Sequence, residues 1–322
     1  MITKNDVSAL IDEQVVSEIF EGAQKESKVL SMFRRLPNMS SDKTKLRVSD
    51  ALPVAYFVDE STNNGRKNLT KAAWKNVFLT AEEIAVIVPI KENLLNDASV
   101  DLWAEIRPQL TSAIAKTIDA AVFRGEGAPT SWGTGIIPEI IAKGKTVTET
   151  GKLYEDINSV MVEVEESGYD VNALLGGVGL KGKFRMMVDN TGQPLNTTEI
   201  GSLRREYLDN GSWDKETATL IAGDFNQAVY AIRNDVDYKV LTEAVIQDPS
   251  DGSILYNLAQ EDMVALRVTF RMGYAIPNPV NALDGTETRY PFAALVPASE
   301  GSDSEGSDSE GTEPDTPEET EL

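Results

Sequence analysis

At 322 residues the chain is long enough for one large domain or two to three smaller ones, and 41% hydrophobic residues supply a sizeable core. It contains neither Cys nor His, which excludes disulfides, thiolate or imidazole metal sites, Cys nucleophiles and every triad built on an imidazole base. The net charge of −22 excludes the basic balance of a sequence-reading nucleic-acid binder, and the 52 Asp and Glu leave carboxylates as the available acid–base or hard-cation chemistry. No apolar run approaches the roughly 18 residues of a membrane span. The longest, IAVIVPI over 84–90, is strand-sized and carries a proline. The N-terminus, MITKNDVSALIDEQ, is polar and acidic, unlike a secretory signal.

The first 36 residues read as an amphipathic helix or two. Val7, Leu10, Ile11, Gln14, Val15 and Ile19 recur at i, i+3, i+4 spacing behind a capping Asp6. Gly22 interrupts the pattern, Val29, Leu30 and Phe33 add a second apolar patch, and Arg34 and Arg35 close the segment in the sense the helix dipole favours. Residues 43–90 then change period. Two arms rich in β-branched and aromatic residues flank Asn64-Gly65, a hairpin-turn signal because both residues tolerate positive φ. Arms of this length do not bury both faces in a core, and an isolated ribbon is marginally stable, so the ribbon is expected to rest on something else, such as a neighbouring subunit. Arg66, Lys67, Lys71 and Lys75 cluster near its tip, with Trp74 in the return arm. They read either as a contact for a partner's acidic surface or as a charged edge that blocks sheet aggregation.

A long helix is expected from Asp97 to Arg124, where Leu102, Ile106, Leu110, Ile114, Ile118 and Val122 repeat every four residues and Pro108 should kink or break it. GEGAPTSWGTGII follows as a glycine-rich turn returning to a strand, without the Lys-Ser/Thr ending of a phosphate loop. KLYEDINSVMVEVEES reads as a helix, and 170–235 as alternating short strands and helices. The stretch from Met263 alternates Val264, Leu266, Val268 and Phe270 as a strand, so the chain as a whole is α+β with more than one lobe. The ordered body should end near Pro297. Beyond it, SEGSD occurs at 299–303 and again at 304–308, and from Ser299 to the end stand ten acidic residues and no Lys or Arg. That composition reads as a disordered, solubilising tail, or alternatively as a docking strip for a basic partner or a calcium-collecting segment.

Gly177, Gly179 and Gly182 match the G-x-G-x-x-G spacing of a dinucleotide turn, with Glu199 near the distance of a ribose partner. The match opens far into the chain, and Glu199 sits in the turn-rich DNTGQPLNTTEIGSL with no repeated βαβ unit after it. It therefore reads as a turn, with an NAD-dependent enzyme as the remote alternative.

The order of parts resembles the major capsid proteins of tailed double-stranded-DNA phages, the Hong Kong 97 fold. AAWKNVFLTAEEIAVIVPIKENLLNDASVDL is similar to the family's ribbon return and spine helix, LIAGDFNQAVYAIRNDVDYKVL to its Gly-Asp-Phe strand segment, and LAQEDMVALRVTFRMGYAIPNP with FAALVPA to its closing strands. The resemblance covers residues 1 to about 297 and implies a non-enzymatic shell protein without cofactors. Its copies would form pentamers and hexamers around DNA that they do not read, with a separate scaffolding protein and a portal, in a virion head assembled in the host cytoplasm. It further implies an N-terminal arm (1–36), an extended ribbon (37–90), a peripheral lobe (91–167 with 241–297, spine helix 97–124), an axial lobe (168–240) and the tail (298–322). An encapsulin-like compartment shares the fold and is the nearer alternative. Some family members cross-link a ribbon lysine to a neighbour's asparagine; Lys67 or Lys71 and Asn278 or Asn281 are the matching residue types here.

Overall fold

The computed structural model describes residues 22–53, 55, 69–97, 102–188, 203–283 and 288–298. The helix expected before Gly22, the Asn64-Gly65 turn, Arg66, Lys67, Glu199 and the acidic tail lie outside the described residues.

The chain enters through a helical turn over 22–26 and a short helix α1 (Lys28–Met32). Ser27 caps α1 by accepting the Leu30 N–H, the role a hydroxyl plays at a helix start. Arg34 and Arg35 do not close a helix. They form β1, paired in parallel with Val229 and Tyr230. Extended backbone there finds partners 195 residues downstream, which local periodicity cannot reveal. β2 (Lys43–Ala51) and β3 (Ala73–Lys91) are the two arms of the expected ribbon, antiparallel from Lys43↔Thr80 to Ala51↔Ala73.

A short helix α2 (Glu92–Asp97) precedes the long helix α3 (Leu102–Asp119), which continues as a π-helical turn over Ala120–Arg124. The helix does not break at Pro108. Leu110, Ile114 and Ile118 hold the next turns against the core, offsetting the hydrogen bond that proline removes. Gly125 ends the helix in the left-handed region, φ 73°, and crosses Gly135 so closely that a Cβ on Gly125 would stand 2.0 Å from the Thr134 carbonyl oxygen.

The strand expected after this loop is a helix, α4 (Ile136–Ala142). Its isoleucines favour strands, but Ile136, Ile137 and Ile140 share one buried helical face, and Pro138 falls in the first turn, where an N–H has no intrahelical partner anyway. β4 (Thr146–Thr148), α5 (Leu153–Glu166), β5 (Ala173–Gly177), α6 (Leu180–Arg185), β6 (Arg204–Leu208), β7 (Leu220–Gly223), β8 (Val229–Leu241), the hairpin β9 (Val245–Gln247) and β10 (Ile254–Asn257), β11 (Met263–Ala275) and β12 (Phe292–Val296) complete the order.

Two five-stranded sheets result, β1-β8-β11-β3-β2 and β4-β12-β7-β5-β6. One continuous core runs between them. Leu110, Ile114, Ile118 and Phe123 of α3 meet Val268, Phe270 and Met272 of β11, together with Leu175, Ile221 and Phe292 from the second sheet. That sheet's other face carries Leu174, Leu220, Ala222 and Leu295 against Ile157, Val160 and Val164 of α5, the period-two alternation of a sheet covered on both sides. The sheets cut across the lobe division implied by the resemblance. β4 and β12, assigned to the peripheral segments, hydrogen-bond within the sheet of β5, β6 and β7, whereas β8 of the axial segment lies in the ribbon's sheet. Strand pairing between such distant segments leaves no trace in local alternation.

At the junction of these layers Asp119 is fully buried. It accepts hydrogen bonds from the Ser27 hydroxyl (2.7 Å), the Lys28 and Val29 N–H groups (both 3.2 Å) and the Asn210 amide (2.8 Å). One carboxyl thus ties the entering chain, the end of α3 and the β6–β7 loop. Burial pushes this carboxyl above its ordinary range, and the four hydrogen bonds pull in the opposite direction.

Candidate assembly surfaces

The ribbon has two chemically different faces, fixed by its register. Directly opposed residues of antiparallel strands project to the same side. Leu46↔Val77 and Thr44↔Leu79 lie on one side, where Leu79 packs with Met39, Val229, Ala231 and Ala275 at the ribbon's base. The other side carries Lys43 opposite Thr80, Lys45 opposite Phe78, Arg47 opposite Asn76 and Ser49 opposite Trp74. Lys43, Lys45, Arg47 and Asn76 are exposed, and the Trp74 and Phe78 rings are 69% and 57% exposed. Rings left in water on a paired, hydrogen-bonded strand are the form that an unfilled interface takes.

The ribbon's root is held firmly. Asp42 pairs with Arg233 and with Arg271 (2.9 Å). The Trp132 indole N–H donates to the Thr80 carbonyl (3.3 Å) and the Ser131 hydroxyl to Glu82 (2.6 Å), while farther out along the ribbon the Val280 N–H donates to the Ser49 carbonyl (3.0 Å). Of the residues singled out from sequence, Trp74 stands on the basic-aromatic face and Lys71 is exposed just before β3. Lys75 falls on the opposite face, 3.9 Å from Asp50. Arg66 and Lys67 are outside the described residues. Sequence reasoning missed Lys43, Lys45 and Arg47, although K-T-K-L-R has the period-two spacing that puts three cations on one face.

Three further surfaces present apolar side chains. The β9–β10 hairpin exposes Val245, Ile254, Leu255 and Tyr256. An apolar groove of about 540 Å³ lies where Pro89 and Ile90 of β3 meet Leu94, Ile106 and Met263. Around α6, Val178, Met186 and Val188 are exposed at the end of the second sheet.

The glycine fingerprint spans the end of β5 and the start of α6. A Cβ on Gly177 would stand 2.8 Å from Trp213, and one on Gly176 would stand 2.7 Å from Leu180, so the close approaches that require glycine are to the chain's own side chains. Gly179 and Gly182 face open space. Across α6, the Lys181 ammonium and Arg205 guanidinium each lie 4.8 Å from an aromatic centroid, those of Tyr207 and Phe184. Asn278 accepts from the Tyr169 hydroxyl (2.7 Å) and donates to the Arg289 carbonyl (2.9 Å); Asn281 donates to the Ser167 carbonyl (2.7 Å) and accepts from the Leu283 N–H (3.0 Å). Among the described residues no group of three Asp or Glu is arranged to hold a metal ion, and no helix is long and apolar enough to cross a membrane.

Comparison with known proteins gives concordant matches. The phage capsid family matches residues 8–284. The major capsid protein of Staphylococcus phage 80alpha is 26% identical over 300 residues, 90% of this chain and 86% of that protein. A solved structure from Microbacterium phage Oxtober96 superposes with a TM-score of 0.74 at 36% identity, covering 84% of this chain and 91% of its own. One from Mycobacterium phage Bobi gives a TM-score of 0.74 at 31% identity, over 92% and 99% of the two chains.

Proposed function

Because this chain belongs to the phage capsid family, as a major capsid protein with a Hong Kong 97-type fold, we propose that its copies assemble as pentamers and hexamers into an icosahedral head enclosing double-stranded DNA. The observation that carries this reading is the ribbon. Over 73–80 β3 pairs with β2, past the stretch paired with β11, and leaves Trp74 and Phe78 in water where no acidic residue stands between Lys43 and Ser49 or between Trp74 and Phe78. A neighbouring copy lying under the ribbon supplies the layer that the isolated subunit lacks. The role is structural and not catalytic: the glycine turn is packed by Trp213 and Leu180. The apolar β9–β10 hairpin and the end of the second sheet around α6 serve as the remaining contacts between copies, the latter around the symmetry axes. A scaffolding protein and a portal act during assembly in the host cytoplasm.

The chain's net charge of −22 suits a container. A lining that makes few phosphate contacts releases few counterions and leaves packaged DNA free to move. Negative-stain microscopy of the protein, expressed alone and with its upstream neighbour gene, tests the reading. Closed shells or capsomer rings are expected, and a monomer under every condition would overturn it.

A further inference from the structure

The ribbon's basic-aromatic face raises a question that the shell reading leaves open, namely what chemistry it meets. Between Lys43 and Ser49 on β2, and between Trp74 and Phe78 on β3, this face holds no acidic residue. Its only charged groups are Lys43, Lys45 and Arg47, all exposed and none within 4 Å of a described carboxylate. On a chain with 52 acidic residues against 30 basic ones, such a strip fits an acidic, extended partner.

The chain carries one. Residues 299–322 hold ten carboxylates and no cation, spaced by Gly and Ser that let the backbone follow a pleated surface. This segment leaves the fold after β12, which lies in the sheet that the ribbon does not join. Twenty-four residues span up to about 80 Å when extended, enough to reach beyond their own subunit.

We propose that the acidic C-terminal segment of one copy docks along the Lys43–Lys45–Arg47 face of another copy's ribbon, between the Trp74 and Phe78 rings and the ribbon edge. The contact is electrostatic and multivalent. It neutralises in the shell the cations that would otherwise lie unpaired on a projecting arm, and salt weakens it. DNA phosphate is the competing ligand for the same cations, but the remaining 298 residues still carry −12, which repels a polyanion from the surrounding surface. The proposal rests on the shell reading only in requiring that copies lie side by side.

Zero-length carbodiimide cross-linking of assembled full-length protein tests it. Equal amounts of unlabelled and nitrogen-15 chains are co-assembled, and microscopy of the same sample reads the shell premise separately. Mixed-isotope peptides joining Lys43 or Lys45 to residues 299–322 are expected. Their yield should fall at least about fivefold in 1 M salt, where the screening length is about 3 Å. It should also fall about twofold or more in Arg47→Gln, which keeps both reactive lysines. Intact shells with no such peptides overturn the proposal, as do links confined to single chains. Links that persist unchanged in 1 M salt and in Arg47→Gln also overturn it. So does protection of Lys43 and Lys45 from acetylation that appears only when DNA is packaged and survives deletion of 299–322, since that assigns the face to phosphate.

Discussion

β3 is two strands in one. Over 81–91 it is paired with β11, and its residues Ile84, Val86 and Val88 pack on the main core. Over 73–80 its strand partner among the described residues is β2, and the same side of the strand that packs Ile84 on the core further on leaves Trp74 and Phe78 in water. The backbone geometry is continuous; what changes is the neighbourhood. The body half is stabilised by what the chain folds onto itself. The ribbon half is held by its root, through Asp42, Trp132 and Ser131, and leaves Trp74 and Phe78 uncovered among the described residues. Substitutions in the two halves should therefore fail differently, the first in folding and the second in assembly.

The largest effect belongs to the body. Gly125→Ala forces a Cβ into the Thr134 carbonyl at a positive φ, and should cost about 3 kcal/mol or more, read as loss of soluble subunit or a melting temperature well below that of the parent. A variant that melts with the parent would show that the Gly125–Gly135 crossing relaxes freely. Asp119→Asn comes next, at about 1–3 kcal/mol, because it replaces an acceptor of four hydrogen bonds by a group that is half donor.

Its pH dependence has a definite sign. Burial raises the folded-state value of Asp119 above the ordinary 3.8, so its contribution is fully present below about that pH and is lost as pH rises through the raised value. The deficit of Asp119→Asn, followed by denaturant titration, should accordingly be greatest near pH 3.8 and shrink toward neutrality. A deficit that grows with pH would mean the carboxylate, not the acid, is the stabilising form. Smallest of all is deletion of 299–322. The melting temperature of the subunit should not move, and loss of soluble protein would show that the segment belongs to the fold.

Much of the body was legible from local pattern. The apolar repeat through Leu110, Ile114 and Ile118 marks α3, the alternation from Val264 to Phe270 marks β11, and the two arms of the ribbon are where their β-branched and aromatic residues put them. What escaped is non-local. Arg34 and Arg35 become a strand only because β8 offers an edge, and β12 joins β4 and β7 across long stretches of chain. Ile136–Ala142 misled through strand-favouring residues that tertiary packing overrides. Asp119 gave a signal that could have been used: a carboxylate between Ile118 and Ala120 on an apolar helix demands buried donors. Of the ribbon residues singled out from sequence, Trp74 and Lys75 are neighbours in the return arm yet face opposite ways, and the cations that share Trp74's face lie on the opposite strand, a register that one strand's own pattern does not reveal.

The division between a self-sufficient body and a ribbon that awaits a neighbour is tested most directly by Trp74→Asp, with thermal melting of the subunit and sedimentation of the assembled product measured on the same preparation. The melting temperature should stay within the shift expected of about 0.5 kcal/mol, while the shell or capsomer-ring peak falls at least tenfold. Unchanged shell yield, or a subunit that no longer folds, would contradict the account.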